Sequence, residues 1–271
     1  MMPLITTTPY RAPTPVVFDL SNASYSGLSF LVQPQDGGPR SVQFSADGLK
    51  MFMLGSFTTR VYQYTLTNPF DLSPTVSYSG TSLLVPSSEG MSFSADGMKL
   101  FVSDATIVRE YSLPTAFSLT GASFSGNSYD FSSEETGGQS VTFSTDGTKM
   151  YIAGTSANTV FEYSLNTAFD LSDTVTYTGN SFDLTTEDTD PTSVAFSPDG
   201  STMFFCAYGS NTIYQYDIGT AFDLSGTVTY SGVNFSIAAQ ENLPFGITFS
   251  PDGTKLFAVG AQTDTVYQYI L

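Results

Sequence analysis

The sequence contains no histidine, no tryptophan and a single cysteine. Without histidine, Ser-His-Asp and Cys-His catalysis are excluded, and histidine-containing zinc sites with them. The one thiol, Cys206, cannot form an intrachain disulfide. It lies in the apolar run MFFCAYG, where we expect a buried, inert side chain. Any chemistry of this chain must therefore rest on carboxylates, amides, hydroxyls and a few bases.

Basic residues are also scarce, since eight Lys and Arg oppose 25 Asp and Glu and leave a formal net charge of −17. Such a surface repels phosphate backbones and anionic lipid, so we expect neither nucleic acid nor a membrane surface as a partner. No apolar run approaches the roughly 20 residues of a membrane-spanning helix, and we expect no membrane insertion. The first residues, MMPLITTTPYRAPTP, lack the basic segment and apolar core of a secretory signal.

Repetition is the most prominent positive feature of the chain. The motif FSxDG begins at residues 44, 93, 143, 196 and 249, at steps of 49, 50, 53 and 53. Each copy is preceded by a strand of the YSGxSF type and followed by runs such as KLFAVG and TVYQYIL. An Asp-Gly pair between two strand-like runs predicts a β-hairpin. Four short strands in each unit of about 50 residues predict the blades of a β-propeller.

The order of strands within a unit predicts how the ring closes. Each unit begins with the outermost strand of a blade and ends with the third strand, so the last unit lacks an outer strand. We predict that residues 18–30 pair with residues 265–271, which removes the exposed edge. The predicted fold is an all-β, five-bladed propeller with four antiparallel strands per blade, preceded by an extended proline-rich arm at 1–17. The predicted units span 18–69, 70–116, 117–168, 169–221 and 222–271.

The motif FSPDGTKLFAVG resembles the TolB-like and YVTN-type propeller repeats, which are related to WD repeats. The resemblance covers about residues 18–271 and concerns the fold far more than an activity. The chain departs from WD repeats because it has no Trp, no Gly-His pair and no Trp-Asp ending, and Tyr stands in the place of that Trp. With VYQY, FDLS and YSGLSF in each cycle, the chain is similar to uncharacterised propellers of aquatic bacteria and their viruses. That similarity implies a binding or particle-surface role.

The candidate site consists of carboxylates in the loops that lead from each outer strand to the next inner strand: Asp36, Glu89, Glu135, Asp188 and Glu241. In a propeller this loop crosses from the rim to the central channel, so we expect a near-five-fold ring of acids on one face. The ring is suited to a cation such as Ca²⁺, or to a glycosidase pair of two acids. The third interpretation is that each acid caps the N–H groups of its own loop. Recurrence in every unit favours capping, because catalytic acids need different environments.

Three other repeated positions are interpreted structurally. The aspartates of the Asp-Gly turns are expected to accept hydrogen bonds within their own turns. The lysines that follow these turns are expected to lie in solvent at the strand starts: Lys50, Lys99, Lys149 and Lys255. Amides and acids on the third strand are expected to bond neighbouring backbone: Gln63, Glu110, Glu162, Gln215 and Gln268.

These observations predict a non-enzymatic structural or recognition protein. The chain has no histidine and no evident asymmetric cluster, its composition suits exposure outside cells, and it has no secretion signal. We therefore expect a virion-associated protein, such as a phage tail, fibre or capsid-decorating component, located in the virion or on an extracellular surface. Expected partners are other protein subunits, bound through residues 1–17 with Tyr10 and Arg11 as anchors, and host-surface glycans. No cofactor is expected, with Ca²⁺ as the alternative.

Two enzymatic alternatives remain open at this point. A carbohydrate-active enzyme, or a lectin, would use the loop acids, and turnover of glycosides would separate the enzyme from the lectin. A lactonase-like metal hydrolase would need a mixed Glu/Asn/Asp cluster in the channel, and the repeats do not supply such a cluster.

Overall fold

A computed structural model describes residues 18–271, and it consists of five four-stranded antiparallel sheets arranged as the blades of a β-propeller. The predicted fold class is therefore confirmed. The one helical element in this range is a single 3-10 turn at Leu20–Asn22. Accordingly, no helix within residues 18–271 has the length and hydrophobicity needed to cross a membrane.

Blades 1 to 4 are each formed by four consecutive strands, beginning with the second strand of the described residues. Blade 1 contains β2 (Pro39–Phe44), β3 (Lys50–Gly55), β4 (Arg60–Asn68) and β5 (Asp71–Leu84). Blade 2 contains β6 (Gly90–Phe93), β7 (Lys99–Ser103), β8 (Ile107–Ser112) and β9 (Ser123–Asp130). Blade 3 contains β10 (Gly138–Phe143), β11 (Lys149–Gly154), β12 (Thr159–Leu165) and β13 (Val175–Asp183). Blade 4 contains β14 (Pro191–Phe196), β15 (Thr202–Ala207), β16 (Thr212–Ile218) and β17 (Val228–Ser236).

Blade 5 joins the two ends of the described chain. It contains β18 (Pro244–Phe249), β19 (Lys255–Gly260), β20 (Thr265–Ile270) and, as its outer strand, β1 (Ser24–Leu31). β1 pairs antiparallel with β20, from Ser24 opposite Ile270 to Leu31 opposite Thr265. The predicted closure by strand exchange is confirmed, and it gives β20 a hydrogen-bonded neighbour on each side.

Aromatic side chains fill the wedges between blades. The last residue of each innermost strand is Phe, and it packs on an aromatic ring of the second strand of the preceding blade. Phe44 of blade 1 lies 4.4 Å from Phe257 of blade 5, measured between ring centroids, and Phe143 lies 4.5 Å from Phe101. Because these contacts cross blade boundaries, burial of apolar surface holds the ring together as well as each sheet.

A buried hydrogen bond also links each blade to the next, and we call it the clasp. The third-strand amide or acid accepts the backbone N–H of a Leu that lies at the start of the outer strand of the following blade or in the connector before it. Gln268 accepts from Leu72 at 2.9 Å and thus crosses the seam between blades 5 and 1. The other four clasps have lengths of 2.9–3.0 Å, which confirms the interpretation of this position: Gln63–Leu119, Glu110–Leu171, Glu162–Leu224 and Gln215–Leu20.

The lysines after the turns are not free in solvent, contrary to our expectation. The ammonium of Lys149 donates to the carbonyl of Phe222 at 2.7 Å, in the connector of the next blade. Lys50, Lys99 and Lys255 make the same contact with the connector Phe of their neighbours, at 2.7–2.8 Å. The reason is that the connector places its Phe at positive φ, as at Phe222 (φ 56°), and the lysine reaches the carbonyl of that residue.

The Asp-Gly turns have the predicted internal hydrogen bonds. In blade 1, Asp47 accepts from the N–H of Leu49 at 3.0 Å and from the hydroxyl of Ser45 at 2.6 Å. The bond from Ser45 makes the largest contribution to lowering the pKa of Asp47. The next residue, Gly48, has a φ of +69°, and the ring of Phe70 occupies the space that a Cβ would need. Glycine is therefore required here for both conformation and space.

Candidate functional site

The innermost strands of the five blades surround a central channel. These strands line a cavity of about 240 Å³. The position four residues before the Phe of each FSxDG motif lies at or just before the start of the innermost strand. It carries a different side chain in every blade: Arg40, Glu89, Gln139, Thr192 and Phe245. We call this set the channel-mouth residues. All five line the cavity, so a repeat position that is chemically different in every blade lies around the axis of the propeller.

Two opposite charges meet among the channel-mouth residues. Arg40 Nε lies 3.5 Å from Glu89 Oε2, and the guanidinium carbon of Arg40 lies 3.9 Å from the centroid of the Phe245 ring. Neither Nε nor this Oε2 has a hydrogen-bond partner among residues 18–271, although both atoms are buried. About a quarter of each side chain remains exposed, at 25% for Arg40 and 24% for Glu89. The fold thus fixes the positions of both charged groups, while Arg40 Nε and Glu89 Oε2 make no hydrogen bond within residues 18–271.

The pKa values of Glu89 and of the neighbouring Asp104 are shifted in opposite directions. Burial raises the pKa of Glu89, the charge of Arg40 partly opposes that rise, and the charge of Asp104 adds to it. The pKa of Asp104 is lowered despite burial, because it accepts from the N–H groups of Thr106 and Ile107 and pairs with Arg109 at 2.6 Å. Glu89 therefore exchanges a proton at higher pH than an ordinary carboxyl, which is the property of a general acid or base.

Blade 2 also has the shortest loops on the face that carries the channel-mouth residues. Its loop between β5 and β6 has five residues, 85–89, whereas the corresponding loop of every other blade has seven. Its loop between β7 and β8 has three residues, 104–106, whereas the others have four. Glu89 is therefore the last residue of the shortest of the five loops that lead to the innermost strands.

The predicted acids do not act as one ring in the structure. Asp36 is buried and accepts from the N–H groups of Gly38 and Thr58, each at 2.8 Å. Glu135 and Glu241 are buried in the same way and accept from N–H groups of their own and the adjacent loop. Asp188 accepts from the N–H of Asp190 at 3.0 Å. These contacts support the capping interpretation for four of the five acids.

Glu89 is the one predicted acid that lines the central cavity. Within residues 18–271, no group of three or more acids or thiols has the arrangement needed for a metal ion, and Ca²⁺ binding by the predicted ring stays a prediction. The predicted arm at 1–17, with Tyr10 and Arg11, lies outside the described residues. Our sequence reasoning missed four residues of the site: Arg40, Gln139, Thr192 and Phe245. Comparing equivalent positions of the repeats, rather than charges, would have found them.

The family of the chain is indicated by a sequence comparison. A family model described as lactonase, 7-bladed β-propeller matches residues 127–271, which is more than half of the 271 residues. The family description specifies seven blades, whereas the described residues of this chain form five. No curated protein matches the sequence.

Solved structures with the same type of fold have low sequence identity. A functionally unknown protein from Desulfotomaculum acetoxidans DSM 771 is 17% identical with a TM-score of 0.50, over 82% of this chain and 62% of its own. A candidate 6-phosphogluconolactonase from Bacteroides uniformis ATCC 8492 is 15% identical with a TM-score of 0.52, over 84% and 65%. The Cps50 (Swd1) β-propeller domain of Myceliophteria thermophila is 11% identical with a TM-score of 0.53, over 92% and 99%.

These similarities establish a shared fold, and the chain spans less than two thirds of the first two structures. The lactonase match contradicts the expected non-enzymatic, virion-associated function, and that expectation is wrong. The general resemblance to propeller repeats is confirmed, while the narrower similarity to TolB-like and YVTN-type repeats and to propellers of aquatic bacteria and viruses stays a prediction. The expected location outside the cell and the expected subunit and glycan partners also stay predictions.

Proposed function

This chain belongs to the lactonase, 7-bladed β-propeller family, and on that premise we propose that it hydrolyses lactones at the mouth of its central channel. The observation that carries the proposal is the pairing of Arg40 with Glu89 at 3.5 Å, at a channel-lining repeat position where each of the five blades has a different side chain. Both residues lie outside the matched segment 127–271. Their assignment therefore rests on the geometry of the channel and not on the family match.

Glu89 is the proposed general base. Its raised pKa makes it a stronger base than an ordinary carboxylate. In the ionised form it removes a proton from a water molecule as the water oxygen bonds to the lactone carbonyl carbon. The carbonyl π electrons move to the carbonyl oxygen and form a tetrahedral oxyanion.

Arg40 is the proposed stabiliser of this oxyanion. Its guanidinium is held between Glu89 and the Phe245 ring, so little reorganisation is needed when negative charge develops. When the oxyanion collapses, the bond between the carbonyl carbon and the ring oxygen breaks, and the ring oxygen takes the proton from Glu89. Water and lactone thus give one hydroxycarboxylic acid, and the carboxylate of Glu89 is regenerated.

The asymmetry of the channel mouth favours catalysis over a structural role. Structural devices of this fold recur in every blade, as the clasps and the turn aspartates do. In contrast, a carboxyl with raised pKa beside a fixed cation occurs where blades 1 and 2 meet. Different environments for chemically similar groups are typical of acid–base catalysis.

The test is turnover of a panel of γ- and δ-lactones, including glucono-δ-lactone, followed by base consumption at constant pH and corrected for spontaneous ring opening. We expect hydrolysis above background, and Glu89→Gln and Arg40→Met should each lower kcat/KM by about 10²- to 10⁴-fold. Asp130→Asn is the matched control, because it removes an exposed acid from the same blade. Absence of turnover, or full activity of Glu89→Gln, would contradict the proposal.

A further inference from the structure

The channel mouth holds very little positive charge. Seven of the eight bases lie within residues 18–271, and among them Arg40 is the one that lines the cavity. The four lysines donate to connector carbonyls near the Asp-Gly turns, which lie at the opposite end of the innermost strands. Arg109 is paired with Asp104, and Arg60 donates to the hydroxyl of Ser82 at 3.1 Å. Arg40 itself faces Glu89, which offsets its charge.

Negative charge surrounds the same opening. The capping acids Asp36, Glu135, Asp188 and Glu241 belong to the loops of this face, and Asp104 lies close enough to raise the pKa of Glu89. The chain as a whole has a formal net charge of −17. A potential of this sign lowers the local concentration of anions and slows their approach. A dianionic phosphate group is normally bound by several charge-assisted hydrogen bonds, and one offset guanidinium does not supply them.

Beyond the Arg40–Glu89 pair, the lining that residues 18–271 give the channel contains no charged side chain and combines polar with apolar residues. The innermost strands contribute several hydroxyls to the lining, such as those of Ser41, Thr142 and Thr248, and the two amides of Gln43 and Gln139. Such groups exchange hydrogen bonds with the hydroxyls of a sugar-like ring without favouring a net charge. The cavity of about 240 Å³ is smaller than the roughly 300–1,000 Å³ of pockets for drug-sized ligands, so it suits a compact, single-ring molecule.

We infer that the substrates are uncharged, hydroxylated lactones of one ring, and that the channel mouth discriminates against lactones carrying a phosphate. This inference rests on the proposed lactone hydrolysis and adds its substrate class. It has a consequence for the product, which carries a new carboxylate. The negative surroundings that leave the neutral substrate unaffected repel this product, so hydrolysis itself promotes release.

The experiment compares glucono-δ-lactone with 6-phosphoglucono-δ-lactone, using base consumption at mildly acidic pH, where spontaneous ring opening is slow. At an ionic strength of about 20 mM, we expect kcat/KM for the neutral lactone to exceed that for the phosphorylated one at least tenfold. Raising the ionic strength to about 0.5 M should narrow the ratio, because salt screens the repulsion. Gluconate, the product, should inhibit weakly.

A charge variant tests the cause of the preference. Gln139→Lys adds a second cation to the channel mouth and should narrow the ratio severalfold, while Gln139→Met leaves the charge unchanged and should preserve it. The salt series on the unmodified protein gives the same information if a variant does not fold. A faster reaction of the phosphorylated lactone, or a ratio independent of salt and of Gln139→Lys, overturns the inference while the proposed function stands. Absence of hydrolysis of these two lactones and of the rest of the lactone panel overturns the proposed function.

Discussion

Two glutamates of this chain should respond in opposite ways to the same substitution. Glu89 belongs to the channel mouth, and Glu162 provides the clasp between blades 3 and 4. Replacement of each by Ala removes a carboxylate that is near a base in both cases. We expect Glu89→Ala to remove activity with little loss of stability, and Glu162→Ala to remove stability with little loss of activity per folded molecule.

The expected magnitudes follow from the contacts of each carboxylate. Glu89 makes a partly exposed ion pair at 3.5 Å and its Oε2 accepts no hydrogen bond within residues 18–271, so its loss should change the free energy of unfolding by less than about 1 kcal/mol. Glu162 is 1% exposed and accepts the N–H of Leu224 at 2.9 Å. Its loss leaves that buried N–H without an acceptor, which costs about 1–3 kcal/mol. Lys149, 3.3 Å from Glu162, loses its carboxylate as well.

The assay combines equilibrium unfolding in urea with kcat/KM for a lactone, normalised to folded protein. A difference of 1 kcal/mol corresponds to a shift in Tm of about 2–4 °C for a protein of this size, so calorimetry provides a second readout. For Glu89→Ala, we expect a loss in kcat/KM of at least about 10²-fold. The reasoning is refuted if Glu89→Ala unfolds at much lower urea while retaining activity, or if Glu162→Ala is as stable as the unmodified protein.

Three further outcomes follow from the structure. Because Glu89 must be ionised to act as a base and its pKa is raised, kcat/KM should rise with pH through that pKa. Between the pKa of Glu89 in the unfolded chain and its higher pKa in the folded state, the folded state binds more protons, so the free energy of unfolding falls as pH rises. Glu89→Gln removes this dependence and should gain stability relative to the unmodified protein across the same pH range. Gly147→Ala (φ +73°, its Cβ space occupied by a ring) should destabilise by more than Gly179→Ala (φ +84°, open space), for which about 1–2 kcal/mol is expected in urea unfolding; equal effects would contradict the steric argument. Gln268→Met should cost about 1–3 kcal/mol by removing the acceptor of the buried clasp between blades 5 and 1, detected as faster amide hydrogen exchange at Leu72; unchanged exchange at Leu72 would contradict a stabilising role for this clasp.

The fold was predictable because its determinants are local and repeated. The Asp-Gly pairs within FSxDG mark the hairpins, and the order of strands within a unit requires an exchange between 18–30 and 265–271. The clasps were also foreseeable, because a polar residue on a strand buried on both faces needs a hydrogen-bond partner. The contact between Lys149 and the carbonyl of Phe222 was not, since it depends on where the connector of another blade places one carbonyl group.

The site was misread because residues were grouped by charge instead of by register. Glu89 lies four residues before Phe93, as Arg40 lies four residues before Phe44, whereas Asp36 lies eight residues before that Phe. Two residues are missing from the loop before Glu89, and this shortening hides the correspondence when acids alone are compared. That Arg40 and Glu89 then face each other is a property of the closed ring, because their strands belong to different blades.

Blade 5 is closed by the pairing of β1 with β20, the first and last strands of residues 18–271, and none of these contacts depends on how many blades lie between the two strands. Duplication or loss of a whole repeat would therefore leave the β1–β20 pairing intact and alter only the angle that each blade occupies around the axis. The five blades formed by residues 18–271 and the seven of the family's description are compatible with one such assembly plan. The axial chemistry would not survive the same change, because it depends on which two strands become neighbours around the pore.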